Sequence, residues 1–142
     1  MYSRILVGTD GSSTAAEAVR QAAELARVHG AELIILHGAK TTSSAPDVGF
    51  GIPPVDAETI RSAGDQILSE AQKVAGVDTR VRTVMREGDP AEAILDAAEA
   101  EEVDLIVVGN KGMRGTRRFL LGSVPNTVAH HSPCSVLIVH TT

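Results

Sequence analysis

Apolar residues in this chain fall into short blocks separated by longer stretches with helical periodicity. Arg4 to Thr9 (RILVGT) is short, aliphatic and partly β-branched, and predicts a buried strand. Ala15, Val19, Ala22 and Ala26 then recur at helical spacing. Thr14 and Glu17 have the spacing of a capping box, with Ser13 an equal alternative as the N-cap, and Gly30 suits a left-handed helix end. Glu32 to Ala39 (ELIILHGA) is a second buried strand. A strand, a helix and another fully apolar strand indicate a βαβ unit and a parallel sheet.

The pattern breaks between Lys40 and Val55, where Ser, Thr, Gly and Pro predominate; a loop of this length is expected to be a mobile insert. Asp56 then caps a predicted helix whose apolar stripe is Ile60, Ile67, Ala71 and Val74. Thr79 to Arg86 partly alternates, and the arginines at 80, 82 and 86 suit a sheet edge that repels further strands. Asp89, Pro90 and Glu92 form a strong helix start, and Ile94, Leu95 and Ala98 give that helix its apolar face. Leu105 to Val108 is a buried strand. Val124, Val128 and His131 line a short helix, and Ser135 to Val139 closes the chain as a fifth strand. Five strands alternating with four helices predict a three-layer α/β sandwich on a mostly parallel sheet, in a single domain spanning residues 1–142.

Composition narrows the function. Aromatic residues make up 2% of the chain, so the core is aliphatic and stacking platforms for single-stranded nucleic acid are lacking. The formal charge of −5 opposes broad attraction to nucleic acid or to anionic membranes. With one cysteine, Cys134, no intrachain disulfide forms, which fits a reducing cytoplasm; Cys134 itself reads as buried packing. No stretch reaches membrane-spanning length, and Ile5 already belongs to a strand, which leaves no room for a leader ahead of it. His130 and His131 are neighbours, which point apart on a helix and make a poor metal pair.

One segment stands out against the acidic background. Gly109 to Ser123 holds Lys111, Arg114, Arg117 and Arg118, four glycines and no acidic residue. It follows the fourth strand, at the end where open α/β sheets bind ligands. Glycine there admits a ligand close to the backbone, and the N-terminus of the following helix offers free N–H groups to an anion. The Ser123 hydroxyl is placed either to cap that helix or to donate to a phosphate. Neither a P-loop nor a dinucleotide fingerprint is present.

The spacing Gly109-x2-Gly112-x9-Gly122-Ser123 resembles the nucleotide-binding signature of the universal stress protein family, and the resemblance extends over the whole chain through ILVGTDGS, LHGA, Gly88-Asp89-Pro90 and SVLIVH. It implies an adenine nucleotide alpha hydrolase-like fold with strand order 3-2-1-4-5. It further implies an ATP site, with Mg²⁺ as a possible companion. Thr9 would lie beside the base and Asp10 near the adenine or ribose, with a turn role for Asp10 equally open. Val108 and Gly109 would meet the ribose. Gly112, Gly122, Ser123 and Val124 would hold phosphates through backbone N–H groups, helped by Lys111 and Arg114. Gly38 stands where relatives carry an aliphatic residue against the adenine, which implies a shallower base wall and leaves cyclic AMP open as a ligand. The resemblance favours a nucleotide-loaded regulatory protein over a slow ATPase or phosphotransferase. It also favours a homodimer through Ser135 to Val139, the unguarded sheet edge.

Overall fold

The computed structural model describes residues 1–39, 56–111 and 121–141. The insert at 40–55 lies outside the described residues, as do Gly112, Arg114, Arg117 and Arg118. The elements run β1 (Arg4–Gly8), α1 (Ser13–His29), β2 (Glu32–Ala39), α2 (Ala57–Ala75), β3 (Val81–Glu87), α3 (Pro90–Ala100), β4 (Leu105–Gly109), α4 (Ser123–His131) and β5 (Ser135–Val139). The five strands are all parallel, in the order β3-β2-β1-β4-β5.

The central strands are apolar at successive positions because both faces of the sheet are covered. Ile5, Val7, Leu33, Ile35, Leu105 and Val107 pack under α1 and α2. Leu6, Ile34, Leu36, Ile106 and Val108 point the other way, toward α3 and α4. Register keeps the two sets apart: Val7 pairs with Ile35, and Leu6 with Ile106. The helices meet the sheet largely through alanines, among them Ala18, Ala22 and Ala26 of α1 and Ala93, Ala97 and Ala98 of α3. Small side chains let each helix axis lie close to the strands and leave the aliphatic volume to the sheet.

The helix ends follow local chemistry. Asp56 accepts from the Thr59 N–H at 2.7 Å, and Asp89 accepts from the Glu92 N–H at 3.2 Å ahead of Pro90. Gly30 closes α1 with φ 66. The start of α1 differs from the expectation. Its N-cap is Ser12, whose hydroxyl accepts from the Ala15 N–H at 3.1 Å. Thr14 is instead buried inside the first turn, where its hydroxyl has a partner from the far end of the chain. The buried stripe of α2 is Gly64, Leu68, Ala71 and Ala75, one register from the predicted one, and Ile60, Ile67 and Val74 flank it. On α4 the buried partner of Val128 is Pro125, whereas His131 is exposed. Cys134 is half-buried against the α3/α4 cluster.

At the β3 edge, Arg82 does more than repel other chains. Its guanidinium donates to Glu32 at 3.1 Å and to Glu101 at 2.7 Å, tying the edge strand to the start of β2 and the end of α3. The hydrogen bond from Arg82 holds the Glu101 carboxyl below the ordinary glutamate value of 4.5. A lowered carboxylate pKa in the folded state stabilises the fold above the unfolded value, and that contribution disappears as pH falls through the folded one. Denaturation midpoints measured from about pH 6 to 3 should therefore fall less steeply in Glu101→Gln than in the wild type.

Candidate functional site

Strand order reverses between β1 and β4: the chain runs outward from β1 to β3 on one side, then crosses to β4 and β5 on the other. The crevice at such a reversal, beyond the C-terminal strand ends, is where open α/β sheets place ligands. The turn after β1 is fixed by four hydrogen bonds. The Thr9 N–H donates to the Leu36 carbonyl at 2.9 Å, and His37 Nδ1 lies 2.9 Å from the Thr9 carbonyl. A carbonyl only accepts, so the ring nitrogen carries the proton. The Thr9 hydroxyl accepts from the Gly11 N–H at 3.2 Å, and Asp10 Oδ1 accepts from the Ser12 N–H at 2.9 Å. Asp10 thus fills the turn role open to it in the sequence. Its carboxylate is anchored at the switch point, immediately before the cap of α1. His37, within the LHGA stretch, contributes to this geometry through its ring.

Beside the turn, α1 and α2 leave a cleft of about 360 Å³, lined by Thr9, Gly11, Ser12, Ala16, Ile67 and Val74 among others. Ile67 and Val74, which the periodicity assigns to the core, spend part of their surface on this cleft.

At the end of β4 the structure redistributes the expected roles. The Val108 side chain is buried under α3 and α4, so only its backbone faces the sheet end. A Cβ on Gly109 would lie 2.6 Å from Thr14 Cγ2 and 3.3 Å from the Thr14 carbonyl. The glycine therefore makes room for the first turn of α1. Asn110 follows, and its carbonyl accepts from the Gly122 N–H at 2.9 Å. That bond uses the donor expected to reach a phosphate from Gly122. It also closes the entry and exit of segment 111–121 into a neck, with Lys111 beside it.

Gly122 is the N-cap of α4 and supplies no side-chain cap; Ser123 is the first helical residue and is exposed, so its hydroxyl is not the cap. The first N–H groups of a helix have no intrahelical acceptor. Here Pro125 has no N–H, and Ser123 and Val124 supply the donors of the first turn. They carry the partial positive charge of the α4 terminus with no acidic residue in that turn. Val124 also packs its side chain on the α3/α4 cluster.

Gly38 departs most from expectation. A Cβ there would come 2.9 Å from Pro90 Cα and 3.3 Å from Ala93 Cβ. The missing side chain does not leave an open wall; the N-terminus of α3 occupies the space. Sequence spacing does not reveal this, because Gly38 and Pro90 meet only when α3 packs across the sheet.

Fold and strand-end geometry define a doubly wound α/β protein whose candidate ligand edge comprises the β1 turn and the Asn110–Gly122 neck after β4. The chain belongs to the universal stress protein family, whose model matches residues 1–140. It is 38% identical to the universal stress protein YxiE of Bacillus subtilis, over 98% of this chain and 99% of the relative. It is 36% identical to a universal stress protein of Methanothermobacter thermautotrophicus, over 99% of this chain and 97% of the relative. A crystal structure of a universal stress protein in complex with cAMP superposes with a TM-score of 0.79 at 32% identity, covering 99% of each chain.

The contact at Gly38 has a measurable consequence. Gly38→Val should push the start of α3 off β2 and destabilise the fold by about 1–3 kcal/mol, the usual range for overpacking. Urea unfolding monitored by circular dichroism reads this directly. A wild-type midpoint would mean that the α3 N-terminus yields without cost.

Proposed function

We propose that this chain binds an adenine nucleotide at the C-terminal edge of its sheet and acts as a nucleotide-loaded regulatory protein, with ATP as the principal ligand. The observation that carries this reading is the neck at Asn110 and Gly122. It fixes the start of α4, with the Ser123 and Val124 N–H groups, at the end of the strand adjacent to β1 and its Asp10 turn. One end of the edge thus offers donors and positive charge for phosphates. The other offers a carboxylate that suits ribose hydroxyls or the adenine amino group. The family relative with bound cAMP supports an adenine ligand. The same relative favours cyclic AMP as the second reading.

ATP carries Mg²⁺ largely through its own phosphates and water, with one or two protein carboxylates. Asp10 is the carboxylate that follows β1 at this edge, and one of its oxygens already accepts from Ser12. A slow hydrolase would need a positioned nucleophile and charge compensation beyond what this turn provides. The regulatory reading therefore leads.

Denaturing the purified protein and identifying the released nucleotide by mass spectrometry tests the ligand; ATP is expected, and cyclic AMP would establish the second reading. Gly122→Val tests the place. A single Cβ at 122 would sit 3.4 Å from Lys111 Cα and 3.6 Å from Pro125 Cδ, so a branched side chain crowds the neck. ATP affinity should drop at least tenfold, about 1.4 kcal/mol, in calorimetry with the fold retained. Unchanged affinity in a folded variant rules out this location.

The regulatory reading includes a homodimer through β5. Val136, Leu137 and Ile138 are each half-buried on this edge strand. The Val139 carbonyl accepts from Asn110, so it faces β4, and alternation turns the Val136 and Ile138 N–H groups outward. Thr141 does not double back over these donors, because it is bound to Asn110 on the inner side of the strand. Val136→Pro deletes one outward donor, a change edge strands tolerate. Light scattering should show wild type as a dimer and Val136→Pro shifted toward monomer. A wild-type monomer at micromolar concentration would end the dimer proposal.

A further inference from the structure

The last residues of the chain meet the neck in a continuous polar relay. The Asn110 N–H donates to the Val139 carbonyl at 2.9 Å, and the Asn110 carbonyl accepts from Gly122. The side chain completes the arrangement: Asn110 Oδ1 accepts from the Thr141 N–H at 3.1 Å and from the Thr141 hydroxyl at 3.4 Å. A backbone N–H can only donate, so the amide oxygen is the atom turned toward Thr141. With the Thr141 hydroxyl donating to Asn110, the buried Thr14 hydroxyl, 3.0 Å away, must donate to Thr141. The relay runs from the first turn of α1, through the chain end, to the residue that closes the neck. Gly109, packed on Thr14, holds the two sides together.

We infer that Asn110 and Thr141 form a latch that positions the phosphate side of the nucleotide site, an inference resting on the function proposed above. Without it the described contacts leave the Asn110 peptide its backbone bonds to Val139 and Gly122 alone, and its carbonyl is freer to release Gly122. The start of α4 and Lys111 would then lose their fixed relation to the β1 turn. Neither residue needs to touch the nucleotide; both are positioning residues. Coupled partners of one network give non-additive effects, which distinguishes a latch from two unrelated contacts.

The variants are Asn110→Ala, Thr141→Val, which keeps shape and the N–H but removes the hydroxyl, and the double variant. In nucleotide-free protein, exchange of the Gly122 amide measured by NMR should accelerate about tenfold in each single variant, with the Ile35 and Val107 amides unchanged. ATP affinity should fall about tenfold while adenosine affinity stays within about twofold, and the double variant should bind ATP no worse than Asn110→Ala. Should Asn110→Ala fail to fold, Thr141→Val carries the same test. Unaltered Gly122 exchange, equal losses for ATP and adenosine, or additive losses would each overturn the latch. Wild-type protein that binds neither ATP nor cyclic AMP would instead overturn the nucleotide reading, and with it the latch's role in phosphate binding. Gly122 exchange would still report separately whether the neck is latched.

Discussion

Every strand of this sheet runs the same way, and the central ones are dry on both faces. That condition governs the rest. A parallel strand can be reached only by crossing over the sheet, so each strand must be followed by a helix long enough to return the chain. The returning helices cover the two faces, and the alternation of Ile5 and Val7 against Leu6 assigns each strand residue to one of two aliphatic layers. Since all strands point alike, all their C-terminal ends and the loops that leave them collect on one edge. The candidate site is a by-product of that geometry. It sits where the chain reverses its direction of growth, because only there do adjacent strands send their following segments to opposite faces.

Packing constraints and site constraints share residues at that edge. Gly109 is small because α1 must approach, and the Thr14 it touches belongs to the relay that reaches Asn110. His37 lies within the core strand β2, yet its ring fixes the Thr9 carbonyl and so the turn that aims Asp10. Gly38 admits the start of α3. A substitution at any of these positions perturbs the fold and the site together. Loss of binding alone is therefore weak evidence for contact with a ligand. The split between ATP and adenosine, or between binding and amide exchange, separates the two.

The opposite end of the sheet is held by charge. Arg82 joins Glu32 and Glu101, and Asp104 accepts from the Ser3 and Arg4 N–H groups at 2.8 and 3.0 Å. These groups clamp the start of β1, the edge strand and the end of α3. With the strand starts pinned there, the C-terminal edge carries the turns and loops, the parts of an α/β fold free to specialise.

What the sequence determined by itself is the order and type of the elements and the parallel sheet with its strand order. The elements follow from local properties: runs of aliphatic residues, caps such as Asp56 and Asp89, and the stop at Gly30. The same local reading fails wherever the deciding neighbour is distant along the chain. It misplaces the α1 cap by a residue or two, because the burial of Thr14 depends on Thr141. It does not show the cleft that Ile67 and Val74 also line, because that cleft between α1 and α2 exists only once both helices are docked. It does not show that α3 and α1 lie against the missing side chains of Gly38 and Gly109. It passes over Asn110, an unremarkable residue between a glycine and a lysine, whose weight comes from joining β5, α4 and the chain end. Periodicity and capping are encoded within a few residues, whereas the space around a glycine and the partner of a buried hydroxyl are set by segments that meet only in the folded chain.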